Sequence, residues 1–324
     1  MTNSNNDFIF DMMSKVLDSQ SITYDEALQL IYSEDLDTLA NCAKNLTKRF
    51  AGNKIDVETL INAKSGTCPE DCSFCAQSSF NSTMIEKYPL LPPEKILQQA
   101  ENAKNSGADS FCIVCAYKAP PDKDFKQICE TIKLIREKLD IEVNVSLGFM
   151  TTERAKVLKN LGVKRYNHNL ETAKSNFEKI CTTHSYEDRI NTAKIVKNAG
   201  LELCCGGIIG MGESVEQRVE LGVALASLDP HEVPINMLIG REGTPLYGQH
   251  LITEKEILQT VATFRFLMPK TILKIAGGRE VHLKENDKKI LQSGANGIIT
   301  GGYLTTKGNK PNDDFKMLEE IGIR

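Results

Sequence analysis

Between residues 57 and 301, eight short runs rich in β-branched and aliphatic residues alternate with amphipathic helical runs. The expected strands are "VETLINA" (57–63), "SFCIVCA" (110–116), "IEVNVSL" (141–147), "KRYNHNL" (164–170), "LELCCGGII" (201–209), "EVPINML" (232–238), "TILKIAG" (271–277) and "ANGIITG" (295–301). Expected helices between them include 93–106, 123–139, 151–161, 185–199, 213–227 and 253–268, and "NDDFKMLEEIGI" closes the chain with another. Eight strands alternating with helices over about 250 residues predict an α/β fold, a (β/α)8 TIM-type barrel. A doubly wound open sheet is the competing architecture.

The first fifty residues carry no strand pattern. "TYDEALQLIYS" opens with a Thr cap and a Glu three residues later, and "LDTLANCAKNLTKRF" places apolar residues at helical spacing. The chain therefore divides into an N-terminal helical extension, 1–50, and a barrel domain, 51–324.

Charge and leader content narrow the function. The net charge of −4 argues against an electrostatic nucleic-acid binder. No apolar run approaches the roughly 20 residues of a membrane span. The N-terminus lacks the basic and apolar regions of a secretory signal, so a cytoplasmic protein is expected. In that compartment the ten cysteines stay reduced, and metal binding or catalysis explains them better than disulfides.

In a barrel of this kind, function sits at the C-terminal ends of the strands. The unusual residues fall there: Cys68, Cys72 and Cys75 after strand 1, Cys112 and Cys115 in strand 2, and Asn167, Asn169 and Glu171 at strand 4. Cys204 and Cys205 lie in strand 5 and Asn236 in strand 6. The triplet reads "GTCPEDCSFCAQ" and spaces its cysteines C-x3-C-x2-C. Thiolates suit zinc or iron–sulfur clusters. Structural zinc normally closes a shell of four ligands, and no His is near this loop. A four-iron cluster held by three cysteines leaves one iron open to an exogenous ligand.

That spacing, with Phe74 before the third cysteine, resembles the radical S-adenosylmethionine superfamily. The likeness then narrows. "SGTCPEDCSFCAQSS" is similar to the cluster loop of the biotin synthase family, and "YNHNLET" (166–172), "GGIIGMGES" (206–214), "VPINMLIGREGTPL" (233–246) and "AGGRE" (276–280) follow in the family's order. The match spans roughly residues 50–305.

The resemblance implies a [4Fe–4S] cluster on Cys68, Cys72 and Cys75 that cleaves S-adenosylmethionine reductively. Sulfur is then inserted between C6 and C9 of dethiobiotin, donated by an auxiliary iron–sulfur cluster. It implies a low-potential electron donor such as flavodoxin or ferredoxin, and a homodimer. The positions matching Asn169, Glu171, Arg189 and Asn236 contact the cofactor, and the one matching Asn167 lies by the substrate. Glu171 is Asp in the family; the longer carboxylate still suits ribose hydroxyls, and Arg189 suits the methionyl carboxylate.

The chain departs from the family at the auxiliary cluster, a [2Fe–2S] centre held by three cysteines and one arginine. Cys112 and Cys204 match two of the cysteines, but Asn144 takes the place of the third and Lys274 that of the arginine. The expectation is a different auxiliary cluster, [2Fe–2S] or four-iron, on Cys112, Cys115, Cys204 and Cys205, with Lys274 offsetting its charge. Adjacent Cys204 and Cys205 point to opposite faces of a regular strand, so that shell requires a bulge.

Cys129 and Cys181 read as structural cysteines and Cys42 as a core residue. His168, inside "YNHNLET", is assigned no chemistry, and His184, His231, His250 and His282 carry no ligand spacing. Two alternatives stand beside sulfur insertion: a related radical enzyme (mutase, lyase or cofactor maturase) acting on another small molecule, and a non-catalytic iron–sulfur scaffold.

Overall fold

The computed structural model describes residues 2–322. Three helices open the chain: α1 (Thr2–Leu17), α2 (Tyr24–Ile31) and α3 (Leu36–Ala51). The α2 start is the predicted capping box. Thr23 Oγ1 accepts from the Glu26 amide at 3.2 Å, and the Glu26 carboxylate accepts from the Thr23 amide at 2.6 Å. Ile9, Leu30, Leu39 and Leu46 bury one face of the three helices against Val219 and Phe266, which belong to barrel helices Val215–Leu228 and Glu254–Leu267. The extension thus shares its core with the barrel's outer layer rather than standing apart.

Among the described residues nine strand segments follow: β1 (Asp56–Lys64), β2 (Ser110–Cys115), β3 (Glu142–Ser146), β4 (Arg165–Asn167), β5 (Glu202–Cys204), β6 (Gly207–Ile209), β7 (Glu232–Met237), β8 (Ile272–Ile275) and β9 (Gly297–Ile299). Every pairing among them is parallel. β9 pairs with β1, Gly297 opposite Asp56, and closes the ring. β5 and β6 are two halves of one stave, both paired to β7. The eight-stave barrel is therefore the architecture, not the open sheet.

The fifth stave breaks at Cys205–Gly206 for a steric reason. A Cβ on Gly206 would lie 1.9 Å from the Pro234 carbonyl oxygen, so two backbones meet where only glycine fits. Pro234 also has no amide to donate across the gap. The six helices expected between the strands form within one or two residues of the predicted bounds. A further helix, Lys174–Ile180, follows β4. Among the described residues, no helix is long and apolar enough to cross a membrane.

Candidate active site

The loop after β1 is fastened from both ends. Gln77 Oε1 accepts from Asn62 Nδ2 at 3.1 Å and from the Gly66 amide at 3.2 Å. Asn81 Nδ2 donates to the carbonyls of Cys72 (3.2 Å) and Cys75 (2.8 Å), and the Cys68 amide donates to Gln77 O at 3.0 Å. These bonds turn all three thiols toward a cavity of about 390 Å3 at the C-terminal end of the barrel, which Cys68, Cys72 and Cys75 line together with Cys112 and Cys115. Burial pushes the Cys75 thiol up to about 11, so the free thiols stay protonated until a cation arrives to replace the protons.

Asn167, Asn169, Glu171, Arg189 and Asn236 line the same cavity. Arg189 comes from the helix Tyr186–Asn198 and is 8% exposed. Its Nη1 donates to Asn169 O at 2.9 Å and lies 3.7 Å from Glu171 Oε1, while Nη2 lies 4.0 Å from Cys72 Sγ. Its Nε–H is buried and has no acceptor among the described residues. An unsatisfied guanidinium donor beside a three-thiol loop fits a carboxylate-bearing cofactor docked on the open iron.

Glu171 sits in the left-handed region (φ 69°) because its backbone bridges to Gly207: Ile208 N donates to Glu171 O at 2.8 Å. Burial raises its carboxyl pKa, and Arg189 opposes the rise. The two asparagines hold strand ends as well as the cavity. Asn169 Oδ1 accepts from Gly206 N at 3.0 Å, and Asn236 Oδ1 accepts from Gly277 N at 2.9 Å.

Residues 63–222 match the Radical SAM superfamily, and residues 234–324 match the Biotin and Thiamin Synthesis associated domain. The chain is similar to the biotin synthase of Nitrosopumilus maritimus (strain SCM1), 50% identical over 320 residues and covering 98% of each chain. It is 47% identical to the biotin synthase of Cenarchaeum symbiosum (strain A), over 97% of this chain and 99% of the relative. The chain belongs to the biotin synthase family. Among solved structures, methylornithine synthase superposes with a TM-score of 0.84 over 96% of both chains at 20% identity. A maturase of the [FeFe]-hydrogenase superposes at 0.82, also 20% identical, over 98% of this chain and 75% of its own. At that identity the likeness is one of fold.

The barrel interior of this chain carries a buried ionic network. Lys274 Nζ is fully buried and lies 2.8 Å from Asp56 Oδ1, 2.8 Å from Glu232 Oε2 and 3.4 Å from Glu58 Oε2. Arg165 reaches Asp56 at 3.4 Å and Glu232 at 3.5 Å. Asn144 Nδ2 donates to Glu58 Oε2 at 2.5 Å, and its Oδ1 accepts from Arg165 N at 3.1 Å. Burial opposes the charge on Lys274, but Glu232, Glu58 and Asp56 outweigh it and hold its pKa well above the ordinary lysine value.

This interior does not fit the three-cysteine, one-arginine auxiliary cluster that the resemblance implies. Three carboxylates already face two cations, and a thiolate-ligated cluster would add more negative charge. Cys112 and Cys204 face the network, and burial together with Glu58 and Glu232 raises both thiols far above their usual value. Cys204 Sγ donates to Glu232 Oε1 at 3.1 Å and accepts from Asn167 Nδ2 at 3.1 Å.

Of the four cysteines expected to share an auxiliary cluster, Cys112 and Cys115 line the cavity and Cys204 and Cys205 do not. Cys115, at the end of β2, has Lys64 and Asp124 as its charged neighbours. Cys205 turns to the other side of its stave, toward Glu171 and Arg189. Lys274, expected to offset a cluster, is instead clamped by carboxylates.

Two residues passed over in the sequence lie against the cluster loop. Cys181 Sγ is 3.8 Å from Cys72 Sγ, and the His184 ring contacts both Cys181 and Glu70. The signals were a C-x2-H spacing at 181–184 and two acids, Glu70 and Asp71, without an assigned partner. His168, by contrast, is buried; burial and then Arg189 keep its pKa well below the ordinary value, so it stays neutral.

Proposed function

We propose that this chain is a biotin synthase, inserting sulfur between C6 and C9 of dethiobiotin. The observation that carries the reading is the three-thiol loop facing Arg189, whose Nε–H is unsatisfied, in a chain 50% identical to a biotin synthase. Cys68, Cys72 and Cys75 would hold a [4Fe–4S] cluster, which would supply the one-electron chemistry that cleaves S-adenosylmethionine. Arg189 receives the methionyl carboxylate, and Glu171 offers acceptors to the ribose hydroxyls. Asn236 and Asn169 hold the edges of the cavity to which the nucleoside is bound. Asn167, held by Cys204, presents its amide oxygen to the ureido N–H groups of the substrate.

No step here passes through an auxiliary cluster, because Asn144 and Lys274 belong to the ionic network; the sulfur enters as sulfide, and the two C–H hydrogens leave on two molecules of 5′-deoxyadenosine formed from two of S-adenosylmethionine. The reading includes a low-potential donor of the flavodoxin or ferredoxin kind and a homodimer. That same network favours a second reading, a radical enzyme of this family acting on another small molecule.

Anaerobic turnover separates the two. Reconstituted protein is given S-adenosylmethionine, a low-potential reductant, a sulfide source and dethiobiotin. Biotin formed with 5′-deoxyadenosine is the expected result. Deoxyadenosine without biotin transfers the case to the second reading, and neither product from cluster-loaded protein overturns both.

A further inference from the structure

We propose that Cys72, Cys181 and His184 form a mononuclear site for a thiophilic divalent cation, of the zinc or ferrous class, which the chain offers when its cluster is absent. Among the described residues, these are the side chains whose sulfur and nitrogen ligand atoms all come within 4.8 Å of one another. The two edges that meet at Cys181 are those of a tetrahedron. Zinc–sulfur bonds of about 2.3 Å and zinc–nitrogen bonds of about 2.0–2.1 Å give S···S edges near 3.8 Å and S···N edges near 3.6 Å. Cys72 Sγ to Cys181 Sγ is 3.8 Å, and Cys181 Sγ lies 3.3 Å from His184 Nδ1 and 3.7 Å from Nε2.

The surroundings are those of a built site. Glu70 Oε2 meets His184 Nδ1, which leaves Nε2 to face a cation. A carboxylate behind a ligating histidine fixes its tautomer and raises its basicity. Glu70 is in turn held by Lys118 Nζ at 2.9 Å and Thr183 Oγ1 at 2.7 Å. Asp71 Oδ1 accepts from the Thr182 amide at 2.9 Å and the Thr183 amide at 3.2 Å, and Ser73 N donates to Ile180 O at 2.9 Å. The 181–184 turn is thereby tied to the cluster loop at both its ends. Cys72, Cys181, His184 and Glu70 are all buried. Three protein ligands leave one coordination position for water.

Cys72 is one thiol with two uses. As a ligand of the four-iron cluster it is withdrawn from the mononuclear site, so the two occupancies exclude each other. Binding takes both sulfurs as thiolates, and the proton that Cys72 shares with Cys181 leaves to solvent. A ferrous ion there waits beside the loop that will receive it; a zinc ion there blocks cluster assembly. The inference concerns the cluster-free chain and holds whichever substrate the enzyme uses.

The test adds Co2+ anaerobically to the cluster-free full-length chain. Expected is one Co2+ per chain with thiolate-to-cobalt charge transfer and tetrahedral visible bands, both abolished by Zn2+. Cys181→Ser and His184→Asn each weaken binding at least about tenfold, and Glu70→Gln, which leaves all three ligands in place, weakens it about 10- to 100-fold. Cys75→Ser leaves the spectrum unchanged, and wild-type protein carrying its cluster shows no cobalt bands, a comparison that needs no variant. Bands that survive Cys181→Ser and His184→Asn, or that vanish in Cys75→Ser, mean the triplet itself holds the cation and overturn the proposal.

Discussion

Lys274 Nζ lies 2.8 Å from Glu232 Oε2 at the centre of the barrel, and at 0% and 1% side-chain exposure neither reaches water. Removing the ammonium leaves Asp56, Glu58 and Glu232 facing Arg165 alone. Lys274→Met should cost about 3–5 kcal/mol near pH 8, the usual penalty for stranding a buried charge. The pH dependence has a definite sign. Burial already raises the Glu232 carboxyl, and Lys274 is its chief opponent, so in the variant that pKa rises further. A carboxyl with a raised folded pKa destabilises above that pKa and ceases to do so as pH falls through it. The deficit against wild type should therefore shrink between pH 8 and pH 5, read by urea unfolding of cluster-free protein. A deficit independent of pH would contradict the ionic account.

Iron counting tests the same interior from another side. Reconstitution with excess iron and sulfide should saturate at about four irons per chain, one cubane's worth. Cys112→Ser and Cys204→Ser should leave that number alone, while Cys68→Ser should abolish it. Loss of iron in either interior variant would show that a second cluster displaces the network.

Arg189 bonds Asn169 O and approaches both Glu171 and Cys72. Lysine keeps the charge but loses the planar fork. Arg189→Lys should weaken S-adenosylmethionine binding at least about tenfold, or about 1.4 kcal/mol. The iron content should not change. Equilibrium dialysis of the cofactor, beside an iron assay, reads both.

Glu171 holds a backbone conformation that aspartate tolerates better than glutamate. Glu171→Asp should keep deoxyadenosine formation within a few-fold. Glu171→Ala should raise the KM for S-adenosylmethionine and leave Arg189 without its nearest carboxylate. A fall in kcat alone, with KM unmoved, would take Glu171 out of cofactor binding.

The fold was legible because its signals are local. The Thr23–Glu26 capping box and the strand–helix alternation need no knowledge of distant contacts. What escaped depends on long-range geometry. The break in the fifth stave comes from Gly206 meeting Pro234, residues 28 positions apart in number but touching in space. The ionic network was half visible: Glu58 and Glu232 stand in otherwise apolar strands, which asks for a buried cation. Only the barrel's closure says that Lys274 answers both. Cys181 and His184 were passed over because their partners, Cys72 and Glu70, lie more than a hundred residues upstream.

A barrel whose inner wall is fastened by an ammonium and three carboxylates needs no metal to hold its staves in register. Its architecture and its iron economy are separate matters. A cell short of iron would accumulate this protein as an intact, empty vessel that is ready to be filled, not as an unfolded chain marked for degradation. Recovery from scarcity would then run at the speed of metal delivery and not of protein synthesis.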